Sequence, residues 1–229
     1  MDYPALERAA RRHATAELMR HAVSELDRIA SGRRALHAVR HPLGFVCLPV
    51  LRDGHDGVCV HLFGTPEPLP PPPAEPDPAA PQVHCHSWDL ISTVLYGRLG
   101  NQRIDVEDLE GTGTAGEPTY RVFEVLSDPS GVDRLWPTER LVRCRPAAEH
   151  TSARGQTYAL PAGEFHTTVV PDGRPTATLV LGRTLPGRPD LSVGPLSAPG
   201  HRMVRRTCDS TQTARIARAA LRRIHEPEP

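Results

Sequence analysis

Three histidines are the residues of this chain best placed to do chemistry. His84 and His86 stand two apart in "VHCHSWDLISTVLYGRLGN" (83–101), and His166 lies in "GQTYALPAGEFHTTVV" (155–170). Alternate residues of a strand share a face, so His84, His86 and Trp88 are expected to point one way and Cys85 and Ser87 the other. Two imidazoles at i, i+2 can reach one metal ion but need a third donor from elsewhere. His166 is that candidate, delivered by a strand that follows a tight Pro161–Gly163 turn. Three neutral imidazoles suit Fe, Zn, Cu or Ni and leave positions open for substrate and O2. Open positions are a catalytic feature, whereas structural zinc sites are closed. Without a carboxylate ligand the metal keeps its full dipositive charge, which favours an anionic, bidentate substrate such as a thiolate, carboxylate or enolate.

Other residues take supporting roles. His61 in "VCVHLFG" shares a face with Cys59 and Phe63 and is a candidate acid/base at the mouth of a barrel. Tyr158, just before the Pro161–Gly163 turn, is a second candidate of that kind. Trp88 is expected to wall the substrate pocket. Asp89 suits a hydrogen bond at a turn or rim better than a fourth ligand position. Cys85 is expected to point into the core, and Arg98 and Arg103 to be solvated.

The elements that position these residues read as mostly β. Residues 4–30 carry apolar positions at helical spacing, with Pro4 suited to a helix start and Gly32 to a stop, so one amphipathic helix is expected there. "ALHAVR" and "FVCLPVLR" read as strands, and "RDGHDG" turns the second into "VCVHLFG" as a hairpin. Short strands are expected at 83–96, 101–108, 119–126, 139–145, 156–160, 165–170 and 176–183, separated by "GTGTAGEP", "SDPSG" and "PDGRP" turns. Many short strands at regular spacing argue for an all-β sandwich or barrel. "TPEPLPPPPAEPDPAAPQ" (65–82) cannot sustain a sheet ladder, so it reads as a long rim loop rather than a domain boundary. Residues from 185 read as loop, then as a last helix over 210–225 capped by Asp209 or Ser210. The division expected is a helical appendage (1–32), a β barrel (33–184) and a C-terminal loop and helix (185–229). The terminal helices are expected to pack on the outside of the barrel or to form a homodimer contact.

Composition sets limits. The 229 residues carry 27 basic and 27 acidic side chains, so no basic groove for nucleic acid and no anionic-membrane surface is implied. Every basic residue is arginine, which removes catalytic-lysine chemistry. Five scattered cysteines without a CxxC argue against a disulfide framework, and a reducing cytoplasm is the expected location. No apolar run approaches the length of a membrane span, and the charged first twenty residues are unlike a signal peptide.

Taken together, the two histidine stretches resemble the cupin superfamily. Its second motif, G-x5-P-x-G-x2-H-x3-N, is matched from Gly155 through Pro161 and Gly163 to His166, with Val170 at the Asn position. Its first motif, G-x5-H-x-H-x(3,4)-E-x6-G, is matched at His84, His86 and Gly97; Leu90 stands at the Glu position and no glycine opens the motif. The resemblance spans about residues 83–183. It implies a double-stranded β-helix (jelly-roll) barrel with N- and C-terminal helices. Loss of the carboxylate with three histidines kept is similar to the thiol dioxygenases, which hold Fe(II) on three histidines; neither their substrate-clamping Arg nor their catalytic Tyr maps onto this chain, so the thiol substrate does not carry over. The function this implies is O2-dependent oxidation of a small metal-chelating substrate by a non-haem Fe(II) enzyme. The alternatives are a non-redox isomerase, epimerase or lyase using Zn, Ni or Mn, with His61 or Tyr158 as acid/base, and a non-catalytic cupin that binds a small ligand.

Overall fold

The computed structural model describes residues 2–64, 83–109, 119–128 and 130–227. The proline-rich segment 65–82 and the turn at 111–118 lie outside them. In chain order the strands are β1 (Val39–Arg40), β2 (Val46–Asp53), β3 (Asp56–Phe63), β4 (His84–Cys85), β5 (Trp88–Tyr96), β6 (Arg98–Asp108), β7 (Tyr120–Ser127), β8 (Val132–Ala153), β9 (Thr157–Leu160), β10 (His166–Val169), β11 (Thr176–Thr184), β12 (Asp190–Pro195), β13 (His201–Val204) and β14 (Arg206–Thr207). They form two antiparallel sheets packed together, in the orders β14-β1-β2-β3-β11-β5-β9 and β13-β8-β6-β10-β4-β12-β7.

Alternation along the strands of the first sheet sorts its side chains. Val58, Val60 and Leu62 of β3, with Leu48 and Val50 of β2 and Leu179 and Leu181 of β11, face outward into the main core. Three helices cover that face: α1 (Tyr3–Arg11), α2 (Thr15–Ala30) and α3 (Ser210–His225). Leu6, Leu18, Leu26, Ile216 and Ile224 supply their side of the core. The terminal helices thus pack on the outside of the sheet. The opposite face of the same sheet carries a smaller cluster of Cys47, Cys59, Leu90, Leu160 and Val180, with Trp88 and Tyr158 against it.

The second sheet closes on itself. β8 pairs with β6 along residues 142–153 and with β7 along 133–142. β6 pairs with β10, β10 with β4, β4 with β12 and β12 with β7. Six strands therefore complete a hydrogen-bonded ring. Ile104, Cys85, Val193, Val122 and Val142 each come from a different strand of it, and Phe165 immediately precedes the sixth. These six form one apolar cluster, so the ring has its own small core.

Four expectations give way here. The single helix over 4–30 is two helices, broken at residues 12–14. His13 adopts φ +54 and its N–H donates to Ala10, closing α1 with a left-handed residue that is not glycine. The single strand over 83–96 is two short pieces in different sheets, because the chain crosses from one sheet to the other at His86 and Ser87. The short strand expected at 139–145 is 22 residues long. Pro137 and Pro146 are tolerated within it because each lies at a register shift, where a ladder N–H is not required. The stretch from 185 to 209, expected as loop, contributes β12, β13 and β14, and β12 is a member of the ring.

Candidate metal centre

The ring holds the three histidines on the side opposite its own core. Cys85 is buried inside the ring, so His84 projects from the other face of β4. β4 and β10 are antiparallel neighbours, and their single register pair is His84 opposite His166. His86 follows β4 directly, and its carbonyl accepts the Gly163 N–H at 2.9 Å. That bond ties the H-x-H segment to the turn that launches His166. Gly163 has φ +84, a conformation that suits glycine at the tip of this turn. Asp89 closes the same link, its carboxylate accepting from the Ala162 N–H at 2.9 Å. On the other side the Ser87 N–H donates to Asp190, and Leu185 N–H donates to the Ser87 carbonyl at 3.0 Å.

The result is a converging set. Ring centroids are 4.5 Å apart for His84 and His166, 5.0 Å for His84 and His86, and 5.2 Å for His86 and His166. One ligating nitrogen from each lies within 4.8 Å of the other two. Donor chemistry fits a divalent transition metal. Burial pushes the His86 imidazole well below its ordinary pKa, helped by neighbouring His84, His166, His61 and His41. Burial likewise lowers His166, against an opposing pull from Glu164. Both rings are therefore neutral near pH 7, the form that ligates. His166 Nδ1 lies 3.0 Å from the Glu164 carbonyl. Donation by Nδ1–H there leaves Nε2 as the ligand atom and fixes the ring, the usual outer support of a metal-bound histidine.

No carboxylate enters this set. Leu90, at the position where the cupin pattern has Glu, is 6% exposed within the inner apolar cluster. Asp89 is engaged at the turn instead. The centre is three imidazoles, and its geometry is compatible with a cupin metal site. No protein-family model matches the chain, and no curated protein matches it.

Trp88 packs beside the triad, its ring 4.4 Å from His86 and tilted by 31°. It can lie there because residue 182 on β11 has no side chain: a Cβ at Gly182 would stand 2.6 Å from Trp88 Cε3. Gly182→Ala is expected to drive the indole from its seat and to cost about 1–3 kcal/mol. Urea unfolding checks the loss, and tryptophan emission, from only two tryptophans, checks the displaced ring.

His61 and Tyr158 lie on the inner face of the first sheet, toward the space between the two sheets, and neither belongs to the triad. Tyr158 lies opposite Ser92 in register, and Ser92 and Asn101 stand against its hydroxyl. Burial raises its pKa, so the phenol keeps its proton at neutral pH. His61 is tilted against Phe45 at 4.6 Å and close enough to His86 to depress it. His41 stacks on the other side of Phe45, at 4.3 Å and 10°. It was not singled out by sequence, since it falls between the two expected strands "ALHAVR" and "FVCLPVLR". Burial lowers its pKa to about 3, with His61, His84 and Arg205 adding to the effect. Ser192, directly opposite His84, has a buried hydroxyl with no hydrogen-bond partner among the described residues.

Proposed function

We propose that the protein is a cupin-type metalloenzyme that oxidises a small, anionic, metal-chelating substrate with O2, using Fe(II) held by His84, His86 and His166. The observation that carries this reading is the convergence of three imidazoles with no carboxylate among them. Such a donor set adds no negative charge, so an anionic bidentate substrate is attracted to the ion it holds. When bound, the ion supplies sites for both reactants and polarises them.

The chain's own residues do the rest. The Glu164 carbonyl orients His166, and Asp89 and the His86 carbonyl hold the two ligand-bearing segments together. Trp88 and the inner apolar cluster keep one wall dry, which strengthens electrostatic attraction for an anion. Ser192, beside His84, offers a hydroxyl to a substrate oxygen. The Tyr158 phenol, kept protonated by burial, can donate a proton or a hydrogen bond within the cleft.

The test is metal content of anaerobically purified protein, followed by O2 consumption with thiols, amino acids and hydroxy acids. About one iron per chain and substrate-dependent O2 uptake are expected, both lost in His166→Ala. The buried Tyr158 hydroxyl favours one second reading, a non-redox isomerase, epimerase or lyase using Zn, Ni or Mn. Turnover in the absence of O2, abolished by Tyr158→Phe, would select it. A chain that binds a small ligand without turning it over would instead be a binding cupin.

A further inference from the structure

A second group of metal-type donors faces the triad from the inner side of the first sheet. Cys47 on β2 is directly opposite His61 on β3, and Cys59 precedes His61 by two residues, so all three share that face. Their ligand atoms lie within 4.8 Å of one another. Cys47 is 8% exposed and Cys59 7%, and both thiols are free.

We propose that Cys47, Cys59 and His61 form a second metal site, for a thiophilic divalent cation of the Zn(II) type. A single buried cysteine is usually just a small apolar side chain. Two thiols and an imidazole meeting at one point are a soft donor set, distinct in preference from three imidazoles. His41 stacks on Phe45 and is not among the donors that converge here. Three protein donors leave one position for an exogenous ligand, the arrangement of reactive rather than structural zinc.

Two further features support the site. Thr178 of β11 is directly opposite His61 on its other flank, and its hydroxyl is buried with no partner among the described residues. It is placed to hydrogen-bond a ligand of the cation. Arg52 reaches over Gly57 toward Cys59; a Cβ at residue 57 would stand 2.5 Å from its guanidinium. The guanidinium is a charged hydrogen-bond donor beside the bound sulfur or an anionic ligand of the cation. A Cys47–Cys59 disulfide fits less well. The two residues are diagonal rather than opposite across the strand pair. Diagonal Cα positions are about 7–8 Å apart, at or beyond the span of a disulfide.

The test uses the full chain with all five thiols confirmed reduced, in a His166→Ala background that weakens the first site. Co(II) is expected to bind with about one equivalent and to give thiolate-to-cobalt charge-transfer absorption, removed by added Zn(II). Cys47→Ser and Cys59→Ser should each abolish that band, while Cys208→Ser leaves it. In unsubstituted protein, Zn(II) should slow alkylation of Cys47 and Cys59 relative to Cys144, mapped by mass spectrometry. Absence of the charge-transfer band overturns the proposal, as does a band that survives both serine variants. Equal alkylation with and without zinc overturns it without any variant. Each outcome is independent of whether the triad holds iron.

Discussion

Replacing His166 with alanine is expected to remove stoichiometric metal from the triad and to weaken binding there by more than about 100-fold. Altering an outer-shell partner alone typically costs 10–100-fold, and His166 is a direct donor with two neighbours left behind. A two-imidazole remnant cannot enclose an ion, and no carboxylate stands among the converging donors to replace the lost ring. His166 is also 2% exposed, so the variant loses packing as well as a ligand. Thermal unfolding with and without added metal separates the two effects. The wild-type chain should gain stability as metal rises above its dissociation constant, by about 2.7 kcal/mol at 100-fold excess. His166→Ala should show a lower metal-free baseline and almost no gain. Exposed His150 provides the control: His150→Ala should keep the full metal-dependent shift. An equal gain in wild type and His166→Ala would sink the three-histidine centre.

The triad was legible in the sequence because two local rules coincide there. Alternation places His84 opposite in sense to Cys85, and a Pro–Ala–Gly turn needs a glycine at its tip just before His166. What the sequence did not reveal was that these segments belong to a closed ring. The length of β8 beyond 139–145 was hidden by two prolines, residues that ordinarily argue against a long strand. It survives because its prolines fall at bulges. β12 was hidden by "LPGRPDLSVGP", whose Gly and Pro content reads as loop, yet Leu191 and Val193 pack in the ring core. The break between α1 and α2 left no trace because histidine, not glycine, takes the left-handed position. His61 was visible as an inward residue. Its partnership with Cys47 was not, since it depends on the register between β2 and β3. His41 illustrates the general limit. Nothing local distinguishes a histidine in a turn from one stacked in a cleft, and only tertiary packing decides.

Metal-free protein should lose stability steeply as pH falls below about 6.5, because its cleft collects histidines that are neutral when folded. His41 is lowered to about 3, and His86 and His166 are lowered in the same direction. Their unfolded counterparts titrate near pH 6.5. Between the unfolded and folded pKa values the unfolded chain binds more protons, so the free energy of unfolding falls as pH falls. Each histidine contributes up to about 1.4 kcal/mol per pH unit, and three together up to about 4. Above about pH 7.5 these groups are neutral in both states and their contribution is flat. His41 has a specific reason to resist protonation: its Nδ1 accepts the Leu43 N–H at 3.2 Å, a bond that a proton on Nδ1 would break. Urea unfolding at intervals from pH 5 to 8 measures the slope. His41→Phe, which keeps an aromatic ring against Phe45, should reduce it by about a third, the share of one group among three. Bound metal should steepen the fall, since protons then compete with the ion for His86 and His166. A metal-free stability that stays level from pH 7.5 down to 5 would mean that these imidazoles are not buried as neutral groups. The triad would then lack the ligating form that the proposed chemistry requires.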